Sequence, residues 1–160
     1  MITIKDKKNC CGCSACVQRC PKQCISLIEE EKGFLYPLVD EEKCINCGLC
    51  EKVCPILNPS DKIHPQEVLA VKNSNEKERM ASSSGGVFLP LAREVIKQGG
   101  VVFGAVYDEQ WEVHHVYAEK IVDVYPMMGS KYLQSRIENA YKQAEQFLKQ
   151  GRDVLFVGSP

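Results

Sequence analysis

Four cysteines followed by a proline occur twice in this chain, and the second set repeats the first 34 positions on. Cys10, Cys13, Cys16 and Cys20 precede Pro21; Cys44, Cys47, Cys50 and Cys54 precede Pro55. Both sets read C-x2-C-x2-C-x3-C-P. All 10 cysteines lie before residue 55 of the 160, which leaves a Cys-rich front and a Cys-free back. Met1 to Lys8 lacks the apolar run of a signal peptide, and no stretch approaches the ~18 apolar residues of a membrane span. The expected location is therefore the cytoplasm, where thiols stay reduced and so many cysteines point to metal rather than disulfides.

The spacing is the ligand run of bacterial ferredoxins. Three thiolates at two-residue gaps wrap one cubane, and the loop needs turn-tolerant residues, here Gly12, Ser14, Ala15, Asn46 and Gly48. The fourth cysteine lies about one helical turn on and points to the other cluster, and the proline after it stops the short helix. Two [4Fe-4S] clusters are expected, one on Cys10, Cys13, Cys16 and Cys54, the other on Cys44, Cys47, Cys50 and Cys20. Zinc is the competing metal for paired C-x2-C motifs, but it needs one set of four ligands, not two sets each followed by proline. Cys24 reads as packing rather than as a redox residue. Cys11 could serve as a slipped ligand only by breaking register with the second run. Ile25–Ile28 and Phe34–Tyr36, around the turn Glu29–Gly33, read as a β-hairpin.

The formal net charge of −1 gives no reason to expect a nucleic-acid or membrane partner, and Lys5, Lys7 and Lys8, diluted by Asp6, read as a solvated end. The expected organisation is a ferredoxin-type domain over residues 1–58, a linker over 59–66 that carries an idle His64, and an α/β domain over 67–160, an α+β chain overall. In the back domain, strands are expected at Val68–Val71, Val101–Tyr107, Trp111–Tyr117 and Val154–Val157. A helix is expected from Val87 or Phe88 to Gln98, with Val87, Phe88, Leu91, Val95 and Ile96 on one face and Pro90 in its first turn. Ser135–Glu138 reads as a capping box for a second helix, whose apolar face runs from Ile137 to Leu148. Trp111 reads as packing. His114 and His115, adjacent on a strand, face opposite sides and cannot chelate one ion together.

Ser82-Ser83-Ser84-Gly85-Gly86 before a helix is the second chemical signal. Its glycines allow close backbone approach, and helix N-terminal amides attract anions, so the loop could hold a flavin or nucleotide phosphate. The other reading is a plain loop and cap, since the run is neither a P-loop nor a dinucleotide fingerprint.

The order of these pieces resembles the beta subunits of coenzyme F420-reducing hydrogenases and dehydrogenases and their bacterial relatives. The resemblance rests on the double cysteine run, Ser82–Phe88, Gly99–Ala105, Gly129–Ser135 and Val154–Pro160, and it covers essentially the whole chain. It implies an iron–sulfur flavoenzyme in which clusters exchange electrons with FAD. Ser83, Ser84, Gly85, Gly86, Ser130 and Lys131 are then the candidate cofactor contacts. The implied partner is a redox protein or a reduced cofactor such as F420. Family members continue past the Gly-Ser-Pro turn with a cysteine, so this chain is expected to be a truncated form with an incomplete back domain. Pro90 also departs from the family's helix pattern.

Overall fold

In the computed structural model, which describes residues 1–61 and 64–158, the two cysteine runs fold alike. Gly12 (φ 63°) and its counterpart Asn46 (φ 52°) are left-handed, as are Ser14 (φ 61°) and its counterpart Gly48 (φ 73°). Each second left-handed residue opens a single helical turn, α1 (Ala15–Arg19) in the first run and α2 (Leu49–Lys52) in the second. Both turns end on a cysteine whose N–H closes back on the residue three before it, Cys20 on Val17 O at 3.3 Å and Cys54 on Glu51 O at 3.1 Å. Proline at the next position cannot extend either helix.

Between the runs stands the expected hairpin, β1 (Ile25–Glu29) and β2 (Leu35–Val39), antiparallel with Ile25 opposite Val39 and Leu27 opposite Pro37. Proline is tolerated because each strand of a two-stranded sheet has a free edge. Ile2, Cys16, Cys20, Cys24, Ile25, Cys50 and Cys54 form the buried core, with Ile4, Val17, Val39 and Cys44 against it. Cysteine supplies most of that core, so the apolar burial that holds a domain of this size together is short of side chains. The chain divides into two units, Met1–His64 and Pro65–Pro160, at a boundary inside the stretch read as linker. Residues 62–63 of that stretch, and 159–160 of the terminal Gly-Ser-Pro turn, lie outside the described residues.

The second unit is a three-stranded sheet with a helix on each face. Strand β3 (Val101–Tyr107) is central, antiparallel to β4 (Val113–Ala118) and parallel to β5 (Val154–Phe156). Alternation along β3 sends Val102 to one face, with Leu89 and Ala92 of helix α4 (Phe88–Lys97), and with Val124 and Met127. Val101 and Phe103 go to the other face, with Ile137 and with Ala140 and Ala144 of helix α6 (Ala140–Lys149). Phe103 stacks on Phe156 at 5.3 Å and meets Phe147 edge-on at 6.2 Å. Two short helices complete the unit, α3 (Glu76–Met80) before α4 and α5 (Ile121–Val124) after β4.

Several expectations need correction here. Val68–Val71 is not a strand: Val68 is 81% exposed and Leu69 67%, because the run pairs with neither edge of the sheet. Trp111 is not a packing residue; it is 74% exposed in the β3–β4 turn at φ 64°, edge-on to Tyr107. Leu91 and Leu148 face solvent, while Leu89 and Ala92 take the buried positions on α4. The capping box does not form, and α6 begins at Ala140. The Ser135 hydroxyl instead lies 2.6 Å from His115 Nδ1, and Glu138, at φ 46°, reaches His114 Nδ1 at 3.3 Å. The Val157 carbonyl can only accept, so His115 Nε2 donates to it (3.0 Å) and, in the neutral ring, Nδ1 accepts from Ser135. His114 lies within 3.1 Å of Asp108 Oδ2, so the two histidines serve separate contacts. Pro90 sits in the first turn of α4, where its missing N–H costs no helix bond.

Candidate metal centres

Two cavities lie in the first unit, both open to solvent, with about 350 and 340 Å³ of space when that open solvent is included. The smaller is bordered by Cys10, Cys13 and Cys16 of the first run and by Cys54 of the second, with Ile2, Ile4, Leu27, Pro37 and Ile56 completing an apolar wall. The larger is bordered by Cys44, Cys47 and Cys50 of the second run and by Cys20 of the first, with Ile25, Val39 and Ile45. Each cavity thus takes three cysteines from one run and the fourth from the other. Crossing follows from the helical turn after the third cysteine, which carries the fourth to the far side of its own loop.

Cys16, Cys20, Cys50 and Cys54 are buried, Cys10, Cys13 and Cys44 half-buried, and Cys47 exposed. Burial raises the Cys10 and Cys13 thiols and pushes Cys16 up to about 11. Burial also opposes ionisation of Cys20, but the N–H groups of Cys24, Lys22 and Gln23 and the Cys24 thiol outweigh it and bring this thiol below its usual range. Cys24 is pushed up to about 11, first by its hydrogen bond to Cys20 and then by burial. An apolar wall and soft sulfur donors in sets of four suit an iron–sulfur cluster at either cavity.

Sequence reasoning placed Cys24 in the packing, and it is buried; it missed that its Sγ lies 3.3 Å from Cys20 Sγ on the wall of the larger cavity. Cys11 is exposed at the rim of the smaller one.

The candidate flavin contacts are partly brought together. Ser130 N donates to Ser83 Oγ at 2.7 Å, which joins the two loops. Lys131 turns inward, and its Nζ donates to the carbonyls of Pro126 and Met128, both at 2.8 Å, with burial lowering its affinity for the proton. The glycines serve the fold. A Cβ on Gly85 would stand 2.9 Å from Val71 O, and one on Gly86 3.0 Å from Arg79 Cα. Asn73, buried and without any signal in the sequence, organises this loop. Its N–H donates to Gly85 O at 2.7 Å and its amide to Gly86 O at 3.3 Å and Glu78 Oε2 at 2.9 Å. Ser83 and Lys131 thus have hydrogen-bond partners inside the protein. Ser84 stays exposed beside them.

Residues 9–57 match the family described as 4Fe-4S dicluster domain. Methylamine utilization ferredoxin-type protein MauM of Methylobacillus flagellatus is 41% identical over 74 residues, 42% of this chain and 32% of that protein. A ferredoxin of Streptomyces griseus is 36% identical over 55 residues, 34% of this chain and 41% of that one. One component of the F(420)H(2) dehydrogenase of Methanosarcina mazei is 25% identical over an alignment that takes in 94% of this chain and 45% of that component. The chain thus spans less than half the length of each of these relatives. Residues 9–57 of the first unit are thus a ferredoxin-type iron–sulfur region, and the chain has a weak, broad similarity to the F(420)H(2) dehydrogenase component. Among the described residues, no helix is long and apolar enough to cross a membrane.

Proposed function

We propose that the chain relays single electrons through two [4Fe-4S] clusters, one held by Cys10, Cys13, Cys16 and Cys54 and the other by Cys44, Cys47, Cys50 and Cys20. The observation that carries this reading is the crossed lining of the two cavities, each with three cysteines of one run and one of the other. The clusters supply the one-electron chemistry when bound. The chain's own part is to hold four sulfurs around each site, to keep water away with Ile2, Ile4, Leu27, Ile25 and Val39, and to aim N–H groups at sulfur. In the first loop the N–H groups of Gly12, Ala15 and Val17 meet the sulfurs of Cys10, Cys13 and Cys16, a geometry that cradles negative charge.

The crossing makes a specific test. Cys54→Ala lies in the second run, yet it should degrade the site built on Cys10, Cys13 and Cys16; Cys20→Ala should do the reverse. Iron and acid-labile sulfide on anaerobically purified protein should be about eight of each in the parent chain. EPR of the reduced variants should then show which signal is lost. Loss of the same signal from Cys54→Ala and Cys47→Ala would sink the crossed assignment, and zinc without sulfide would sink the clusters.

A second reading has one observation in its favour, the similarity to the F(420)H(2) dehydrogenase component over nearly the whole chain. In it the module feeds, or is fed by, FAD in an oxidoreductase, with F420 or another redox carrier as partner. Flavin co-purifying at one per chain would support it. Eight irons without flavin would leave a ferredoxin-type carrier, the reading that the engaged Lys131 and Ser83 favour.

A further inference from the structure

Cys24 borders the larger cavity together with Cys20, Cys44, Cys47 and Cys50, and is 5% exposed. Its place is fixed by the backbone, since Asp40 N donates to Cys24 O at 2.7 Å and ties it to the end of the hairpin. Its Sγ is 3.3 Å from Cys20 Sγ, close enough for the two sulfurs to share a hydrogen. A thiolate bound to iron carries no hydrogen, so with Cys20 as ligand the hydrogen between them belongs to Cys24.

The repeat provides an internal control. The position 34 residues after Cys24 is Asn58, whose amide donates to Glu51 O at 2.7 Å instead. Cys11, the extra thiol of the smaller cavity, also hydrogen-bonds a ligand, Cys13, but it is exposed to water. A buried, non-ligating thiol against a ligand sulfur is therefore a feature of one site and not of its twin.

We propose that Cys24 is a positioning residue, its S–H donating to the ligand sulfur of Cys20 and making the cluster on Cys20, Cys44, Cys47 and Cys50 easier to reduce than it would be without that donor. The proposal rests on the crossed two-cluster reading above. Reduction takes one electron from an external donor, breaks no bond and moves no proton, and the added negative charge spreads onto the ligand sulfurs. A donor aimed at one of those sulfurs stabilises the reduced form more than the oxidised one, and hydrogen bonds to sulfur are among the determinants of cluster potential.

The experiment uses the full chain, purified without oxygen, as wild type, Cys24→Ala, Cys24→Val and Cys24→Ser. Valine fills the volume without a donor, and serine restores a donor. Iron and sulfide are counted, both midpoints are followed by EPR-monitored titration, and exchangeable protons near each cluster are read by ENDOR after transfer to D2O. The expected result is full iron in all four proteins. In the alanine and valine variants one midpoint falls by up to about tenfold in reduction equilibrium constant, about 59 mV for one electron. The other midpoint holds, one exchangeable-proton coupling disappears, and serine recovers most of the shift. Unmoved midpoints at full iron overturn this proposal and leave the two-cluster reading standing. Loss of one cluster from both donorless variants also overturns it, because a donor is not required for iron to bind. A wild-type chain without iron and sulfide overturns both.

Discussion

At the scale of single residues, the backbone sets tighter limits than the side chains. Gly151 (φ 75°) ends α6 with open space where a Cβ would go, whereas Gly86 (φ 71°) has Arg79 Cα at 3.0 Å and Asn73 Cβ at 3.3 Å from that point. Gly151→Ala should cost about 1 kcal/mol, the left-handed penalty alone. Gly86→Ala adds a clash with backbone and should cost roughly 2–4 kcal/mol. Both glycines lie in the second unit, so denaturant titration of one transition compares them; equal losses would mean that the packing around Gly86 yields freely. The two crossed cysteine sets that line the cavities were legible because their spacing is itself the geometry. Asn73 was not, because nothing in a lone asparagine foretells that a distant Ser-Gly-Gly loop will close on it. Trp111 misled for the opposite reason: its size argues for burial, but the two-sided demand of a tight hairpin turn put it at the tip.

At the scale of elements, α3 and α4 are clasped by a carboxylate. Glu78 Oε2 accepts from Asn73 at 2.9 Å, and Glu78 Oε1 accepts from Arg93 on α4 at 2.6 Å. The Asn73 bond first and the Arg93 bond second hold its carboxyl below the usual 4.5. A lowered folded-state value means that the clasp contributes fully above about pH 4.5 and is lost as the pH falls through the lower, folded value. Glu78→Gln should therefore lower the stability of the second unit above that range and remove part of its acid sensitivity below it. Thermal melts at a series of pH values check this, and parallel curves for parent and variant would count against the clasp. Element type was readable wherever period and partner agreed, as in β1, β2, β3, α4 and α6. Val68–Val71 has the composition of a strand, but strand formation is a property of pairs, and a single run cannot reveal that its partner is missing. The start of α6 slipped for a similar reason, since the Ser135 hydroxyl pairs with His115 Nδ1 instead of accepting from an N–H of the helix it was expected to cap.

At the scale of the whole molecule, the two units owe their stability to different things. The second has Phe103, Val101, Val102, Leu89 and Val124 fully enclosed, while the first encloses mainly cysteine. Removing iron with a chelator under reducing conditions should unfold the first unit and leave the second intact. Hydrogen exchange read by mass spectrometry would show protection lost across Ile2–Cys54 and kept across Val101–Phe156, and retained protection in both would separate folding from metal. The crossed lining also has a meaning for how such a chain is made. Synthesis runs from the N-terminal side, and Cys10, Cys13 and Cys16 leave the ribosome early, yet the set around their cavity stays one member short until Cys54 emerges. The other set closes at Cys50, only a moment before. Neither set is complete before Cys50 has emerged, so the two are completed nearly together once the first third of the chain is made, and a premature stop before Cys50 leaves neither set whole.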